Sequence, residues 1–239
     1  MWNGRIYPDN MVQNSNDLTR LFRFFAELSA NNNRPWFAEH KVEYQALRSQ
    51  WLEGIDKVIA MVSQDWPEVR HTTAAQSTYR IYRDIRFSPD KRPFKTHIGT
   101  SIANPALRGQ HTGVYIEAGV PTSDTGIWGG IWCPDRDVLR KLRRAIDDNA
   151  EEFLEIVNDP ALLAVYGTEW HGSALKTAPK GYPKDHPMIQ YLRLVDMGKF
   201  TQIIPETYAD SAWPEILADK IRPVIPFVKF LDYSILEDV

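Results

Sequence analysis

The hydrophobic period of this chain changes near Thr78, and that change limits the possible folds more than any other feature. Before it, apolar residues recur at helical spacing. Leu18, Leu21, Phe22, Phe25 and Leu28 form one stripe, with Asn16 or Asp17 as a suitable N-cap and Asn31 to Asn33 as its end. A second helix is predicted from Pro35 to about Gln64, with Phe37, Tyr44, Leu47, Trp51, Ile55, Val58, Ile59 and Val62 on one side. Such a helix would be about 45 Å long at ~1.5 Å per residue, with Gly54 placed to weaken its middle. After Thr78 the period becomes that of strands. Tyr79 to Phe87 alternates, Val114 to Ala118 and Ile127 to Trp132 are apolar and β-prone, and Val120 to Gly126 has turn composition, which predicts a hairpin.

Helical spacing then returns. Pro134 and Asp135 open a helix with Val138, Leu139, Leu142 and Ile146 on one face and Arg140, Lys141, Arg143 and Arg144 mostly on the other. Shorter helices are expected at Glu151 to Val157 and after Pro160, and a loop from Thr168 to His186. A helix near Met188 to Val195 and a strand near Phe200 to Ile204 should follow. Trp213 to Leu236 reads as helix, kinked by Pro223 and Pro226. Helices, then strands, then helices predict a single α+β domain over 1–239, with a central, mainly antiparallel sheet that includes the basic strand.

Composition narrows function by exclusion. The net charge of -3 gives no bulk attraction to polyanions, so any basic site must be local. Cys133 is the sole cysteine, which removes internal disulfides and cysteine-based zinc clusters. The six histidines lack metal-site spacing, and no glycine-rich phosphate loop, dinucleotide fingerprint or serine nucleophile elbow occurs. No metal and no cofactor is therefore expected. The N-terminus has no apolar signal core and no run nears the ~20 apolar residues of a membrane helix. The expected compartment is the cytoplasm, without membrane association.

The segment from Arg80 to His97 holds most of the candidate chemistry. As a strand, it would put Ile81, Arg83, Ile85 and Phe87 on one face and Arg80, Tyr82, Asp84 and Arg86 on the other. Asp84 would lie between the two arginines of its face, about 7 Å from Arg86 at ~3.3 Å rise per residue. Arg83, on the apolar face, would need a carboxylate or a bound anion. Ser88-Pro-Asp-Lys91 fits a tight turn returning Lys91 and Arg92 toward that strand, with Lys95 and His97 following. One reading is an anion site for a small phosphorylated or carboxylated ligand. Arg80, Arg83, Arg86, Lys91 and Lys95 would hold it, and Asp84, Glu117 or His97 would move protons. A second reading is an open basic stripe for nucleic acid or an acidic partner. A third is a salt-bridge ladder, with Asp84 neutralising Arg80 or Arg86 and Glu117 taking Arg83.

Other features are weaker. Lys176 to His186 is a basic loop with Tyr182 inside it. It reads either as a lid placing Lys180 and His186 over an anion, or as an ordinary polar loop. Cys133 before a helix start could be a lowered-pKa thiol, but is expected to be a small buried hydrophobe. Trp128 and Trp132, among Gly126, Gly129 and Gly130, could stack a base or sugar, but are expected in the core.

The run Arg80-Ile-Tyr-Arg-Asp-Ile-Arg-Phe-Ser-Pro-Asp-Lys-Arg-Pro-Phe-Lys95 resembles the signature of domain-of-unknown-function family 2461, found in bacteria and fungi. Phe24-Phe25-Ala-Glu-Leu, Asn33-Arg-Pro-Trp-Phe, Gly113-Val-Tyr-Ile-Glu and Leu175 to Pro187 extend the likeness over about residues 17–195. The resemblance implies one α+β domain and no particular activity.

Overall fold

A computed structural model describes residues 17–107 and 109–237. Met1 to Asn16, with the proposed N-cap Asn16 and the N-terminal segment read for a signal, lie outside the described residues. Chain order is α1 (Thr19–Ala30), α2 (Arg34–Glu39), α3 (Lys41–Val62), α4 (Ala74–Ser77), β1 (His97–Ile102), β2 (Thr112–Gly119), β3 (Gly126–Ile131), α5 (Arg136–Asp148), α6 (Ala150–Val157), α7 (Pro160–Tyr166), α8 (Ile189–Leu192), β4 (Met197–Gln202), α9 (Trp213–Ile221) and α10 (Ile225–Leu236). The four strands form one antiparallel sheet in sequence order. The fold is α+β.

Local chemistry explains most boundaries. The Asn33 side chain accepts the Trp36 N–H and Pro35 occupies the first turn, so α2 starts there. The predicted continuous helix from Pro35 breaks at His40. Its backbone N–H and its Nδ1 both bond the Trp36 carbonyl, and its ring stacks on Trp36 at 3.8 Å. Gly54 does not weaken α3. The Trp213 indole of α9 lies where its side chain would be, so the glycine permits close approach of the two helices. The Asp135 carboxylate accepts from the N–H groups of Asp137 and Val138 and caps α5. Pro223 and Pro226 divide the C-terminal helix through a 3-10 turn at Arg222–Val224.

One face of the sheet is the core face. Ile98, Ile102, Val114, Ile116, Ala118, Ile127 and Ile131 are buried there, under α1 and α10. Thr100 is buried among them, accepting from Trp51 Nε1 and sharing a hydrogen bond with the Thr78 hydroxyl, both at 2.8 Å. Lys199 is also buried. Its ammonium meets the carbonyls of Gly167, Thr168 and Glu169 at the end of α7 and lies 4.3 Å from the Trp170 ring centre, so the cation is compensated.

The opposite face is only half covered. Ser101, Tyr115, Trp128 and Phe200 are register partners across all four strands and form one transverse row, partly exposed. Tyr115 lies over Gly99 and Phe200 over Gly126, each ring lying across a glycine of the next strand. Trp132 is 52% exposed, which corrects its expected place in the core. Cys133 is exposed too, at φ 48°, and its N–H donates to Asp196.

The predicted basic strand is not in the sheet. Tyr79 to Thr96 makes only isolated bridges, Thr78 with Thr100 and Tyr82 with Phe94, and closes on itself through Arg83 N–H to Pro93 O and Lys95 N–H to Ile81 O. The carboxylates of Asp84 and Asp90 accept the backbone N–H groups of Arg86 and Arg92, which diverts the chain from a ladder. Pro89 and Pro93 have no N–H to offer one. The strand beside β2 is instead β1, a stretch not anticipated from the sequence.

Candidate functional site

The basic segment divides into two parts with different electrostatics. In the outer part, residues 83–92, most charges are satisfied locally. Arg83 pairs with Asp90 at 2.6 Å, Arg92 with Asp90 at 2.7 Å, and Arg86 with Asp84 at 2.6 Å. Lys91 Nζ donates to the Ile85 carbonyl at 2.9 Å. The Arg86 guanidinium holds Asp84 down at about 2, and Arg92, with help from Arg83, holds Asp90 well below the usual carboxylate range. Phe87 at the tip is 94% exposed. Two expectations are thereby corrected: Arg83 is not a buried cation on a core face, and Glu117 does not take it. Asp84 neutralises Arg86, one of the two arginines that the salt-bridge reading offered it.

The inner part meets the open face of the sheet. Lys95 lies just before β1, and its ammonium stands 5.1 Å from the Tyr79 ring centre. His97 begins β1, and its Nδ1 is 3.5 Å from Glu117 on β2. The Tyr115 hydroxyl donates to the other Glu117 oxygen at 2.7 Å. Tyr79 closes the group, with its ring against Tyr115 and its N–H on the Gly99 carbonyl. Strand alternation puts Tyr115 and Glu117 on one face, because they are two residues apart. The same rule marks Tyr115, which sequence reading did not single out.

Burial shifts four titratable groups of this cluster. It lowers the Lys95 ammonium, opposed by Glu117 and reinforced by the nearby Arg80 charge. It pushes His97 down to about 4, assisted by Lys95 and opposed by Asp124. It raises Glu117, with the Tyr115 hydroxyl opposing, Asp124 adding and Lys95 opposing. It also raises Tyr115, and the Glu117 charge adds to that. Near neutral pH His97 is thus an uncharged imidazole. Its contact with Glu117 is that of a neutral ring beside a carboxylate rather than an ion pair. Together these groups provide a partly dehydrated ammonium, a neutral base, and a carboxylate with a phenol donor on it. That set can hold an anion and relay a proton.

The other predicted site residues lie apart from this cluster in their contacts. Arg80 is exposed and acts on Lys95 through its charge. Lys180 is exposed on its loop. His186 faces α5 instead, its Nε2 3.0 Å from Asp147 and its Nδ1 taking the Met188 N–H. Among the described residues, no group of three or more His, Cys, Asp or Glu side chains could hold a metal ion. No described helix is long and apolar enough to cross a membrane.

Comparison with known proteins adds a family. No curated protein and no solved structure matches the chain significantly. The family described as conserved hypothetical protein (DUF2461) matches residues 20–230, which carries the likeness past residue 195 and into the first half of α10. With a match over most of its length, the chain belongs to the DUF2461 family of conserved hypothetical proteins.

Proposed function

We propose that this protein binds a small phosphorylated or carboxylated ligand at the inner cluster, with Lys95 and Arg80 holding the anion. His97 and the Glu117–Tyr115 pair are placed to exchange a proton with it. The observation that carries this reading is the convergence of Lys95, His97, Glu117 and Tyr115 at one edge of the open face, with burial shifting each toward its neutral form. An anion would restore the charge balance of the Lys95 ammonium and replace its lost hydration.

The outer loop favours a different role for its arginines. Arg83, Arg86 and Arg92 already have carboxylate partners within the loop, which supports the salt-bridge reading for that part alone. An open stripe for nucleic acid has less support. On α5, Arg140 and Arg144 pair with Asp137 and Asp148, while Lys141 and Arg143 donate to backbone carbonyls.

The test is a thermal-shift screen with phosphate, pyrophosphate, dicarboxylates and short oligonucleotides at two salt concentrations. A small anion should raise the melting temperature of the wild type and of Lys91→Met, but not of Lys95→Met. A shift that survives Lys95→Met and disappears in Lys91→Met would move the site to the outer loop. Stabilisation by oligonucleotides alone, lost with salt, would replace the proposal with the nucleic-acid reading.

A further inference from the structure

We infer that the ligand has a flat ring as well as an anionic end, and that it is a nucleoside polyphosphate lying across the open face of the sheet. This inference rests on the anion reading above and adds a second contact to it. A cavity of about 70 Å³ opens on the same face, two strand residues beyond the aromatic row. Its floor is a row of three glycines in register, Gly113 on β2, Gly130 on β3 and Gly198 on β4. Its walls are indoles. Trp128 stands on one side, packed on Phe200 at 4.2 Å, and Trp132 on the other, its backbone N–H donating to the carbonyl of His111 just before β2.

Strand geometry fixes the shape of this slot. Trp128 and Trp132 are four residues apart on one face, about 13 Å at ~3.3 Å per residue, with only Gly130 between them. The volume is roughly five times the ~10–15 Å³ that one water needs, and the slot opens to solvent, so it admits the edge of a ring laid against Trp132. Gly113 and Gly130 have φ of 133° and 140°, so the bare floor is built into the backbone and no ordinary side chain would fill it. Among the lining side chains the polar groups are few, Ser101, His111 and the Tyr115 hydroxyl already on Glu117, while Thr112 turns its hydroxyl to Asp232 on the other face, so the slot suits an uncharged flat ring rather than an ion.

Continuity with the cationic cluster determines the ligand class. Glu117 lies four residues from Gly113 along β2, again about 13 Å, with Tyr115 between them. One end of the face is therefore apolar and ring-shaped, and the other has Lys95 and Arg80. A ligand occupying both needs a flat ring and an anion separated by more than a base is from its first phosphate. Nucleoside di- and triphosphates meet this condition, and stacking on the exposed Trp132 indole accepts any base.

The experiment is isothermal titration of ADP, UDP and pyrophosphate into the wild type, Trp132→Ala and Lys95→Met. Trp132 is half exposed at the surface, so its removal should leave the fold intact, checked by an unchanged melting temperature. Wild type should bind ADP and UDP at least tenfold more tightly than pyrophosphate. Trp132→Ala should lose about tenfold in nucleotide affinity and keep its pyrophosphate affinity, while Lys95→Met weakens all three. Equal nucleotide affinity in wild type and Trp132→Ala overturns the ring contact but leaves the anion reading standing if pyrophosphate still requires Lys95. Loss of Lys95 without effect on pyrophosphate overturns the anion reading. Absence of binding by all three ligands overturns both.

Discussion

Asp232 on α10 should make the protein less stable as pH rises from about 4 to about 7, and Asp232→Asn should remove that loss. The carboxyl is 2% exposed and accepts from the Thr112 hydroxyl at 2.6 Å. Burial pushes its pKa from 3.8 up to about 6, with Thr112 opposing, Glu68 adding and Asn104 opposing. A carboxyl whose folded pKa is raised favours the folded state while it stays protonated. That advantage is complete below pH 3.8, where the unfolded chain is protonated too, and is lost as pH climbs to about 6. At about 1.4 kcal/mol per pH unit, ionising Asp232 in the folded chain costs about 3 kcal/mol more than in the unfolded chain. Asparagine keeps an acceptor for Thr112 and never ionises. Urea unfolding of both proteins at pH 4, 5, 6 and 7 measures the difference. The two stabilities should diverge with pH, with Asp232→Asn gaining about 2.4 kcal/mol on the wild type between pH 4 and pH 7. Other titrating groups are common to both chains and cancel. A difference that stays flat over this range would refute the reasoning, because Asp232 would then be ionised in the fold at no net expense.

Three further outcomes follow from particular contacts. Gly54→Ala should destabilise by about 1–3 kcal/mol, although helix propensity alone predicts a gain, because the Trp213 ring already fills that space and is stacked on Trp51; a higher midpoint in urea would show that α9 can shift. Thr100→Val should cost about 1–3 kcal/mol by leaving the buried Trp51 N–H and Thr78 hydroxyl without this partner; an unchanged midpoint would mean that both find another. Lys95→Met should raise the His97 pKa from about 4, since the Lys95 charge helps to depress it; histidine ring resonances followed by NMR from pH 3 to 8 would show it, and an unmoved titration would separate the two groups.

Much of the helical part was legible because burial repeats along single elements. The stripes of α1, α5 and the C-terminal helix, and the β2–β3 hairpin, appear in the chain as their apolar spacing. The Arg80 segment misled for a physical reason. Ile81, Ile85 and the basic residues between them alternate like a strand, but alternation says nothing of where the backbone hydrogen bonds go. Asp84 and Asp90 capture N–H groups that a ladder would use. β1 escaped notice because His-Ile-Gly-Thr-Ser-Ile has little apolar bulk. Gly99 and Thr100 carry meaning only once Tyr115 and Trp51 are seen against them. His97 and Glu117 were legible one by one as candidates. Their pairing depends on the β1–β2 register, and the slot between Trp128 and Trp132 depends on one sheet face being left half bare.

The way the sheet is closed at its sides leaves its half-bare face, rather than its edges, open to solvent. An exposed edge strand invites another strand to pair with it. Here β1 is bridged along its outer side by Thr78 and by the Tyr79 N–H on Gly99 O. On the far side, β4 is bridged by His171, whose N–H bonds Gly198 O. The two edge cappers also contribute to the open face: Tyr79 touches Tyr115, and the His171 ring meets Trp128 and Phe200. The segments that block strand addition therefore also border the aromatic row. With the outer arginines paired inside their own loop, the Lys95–Glu117 cluster and the glycine-floored slot are left as the face's polar and apolar ends. Under the proposed nucleotide reading, the ligand would lie along the strands, with its ring over Gly130 and its charge toward Lys95.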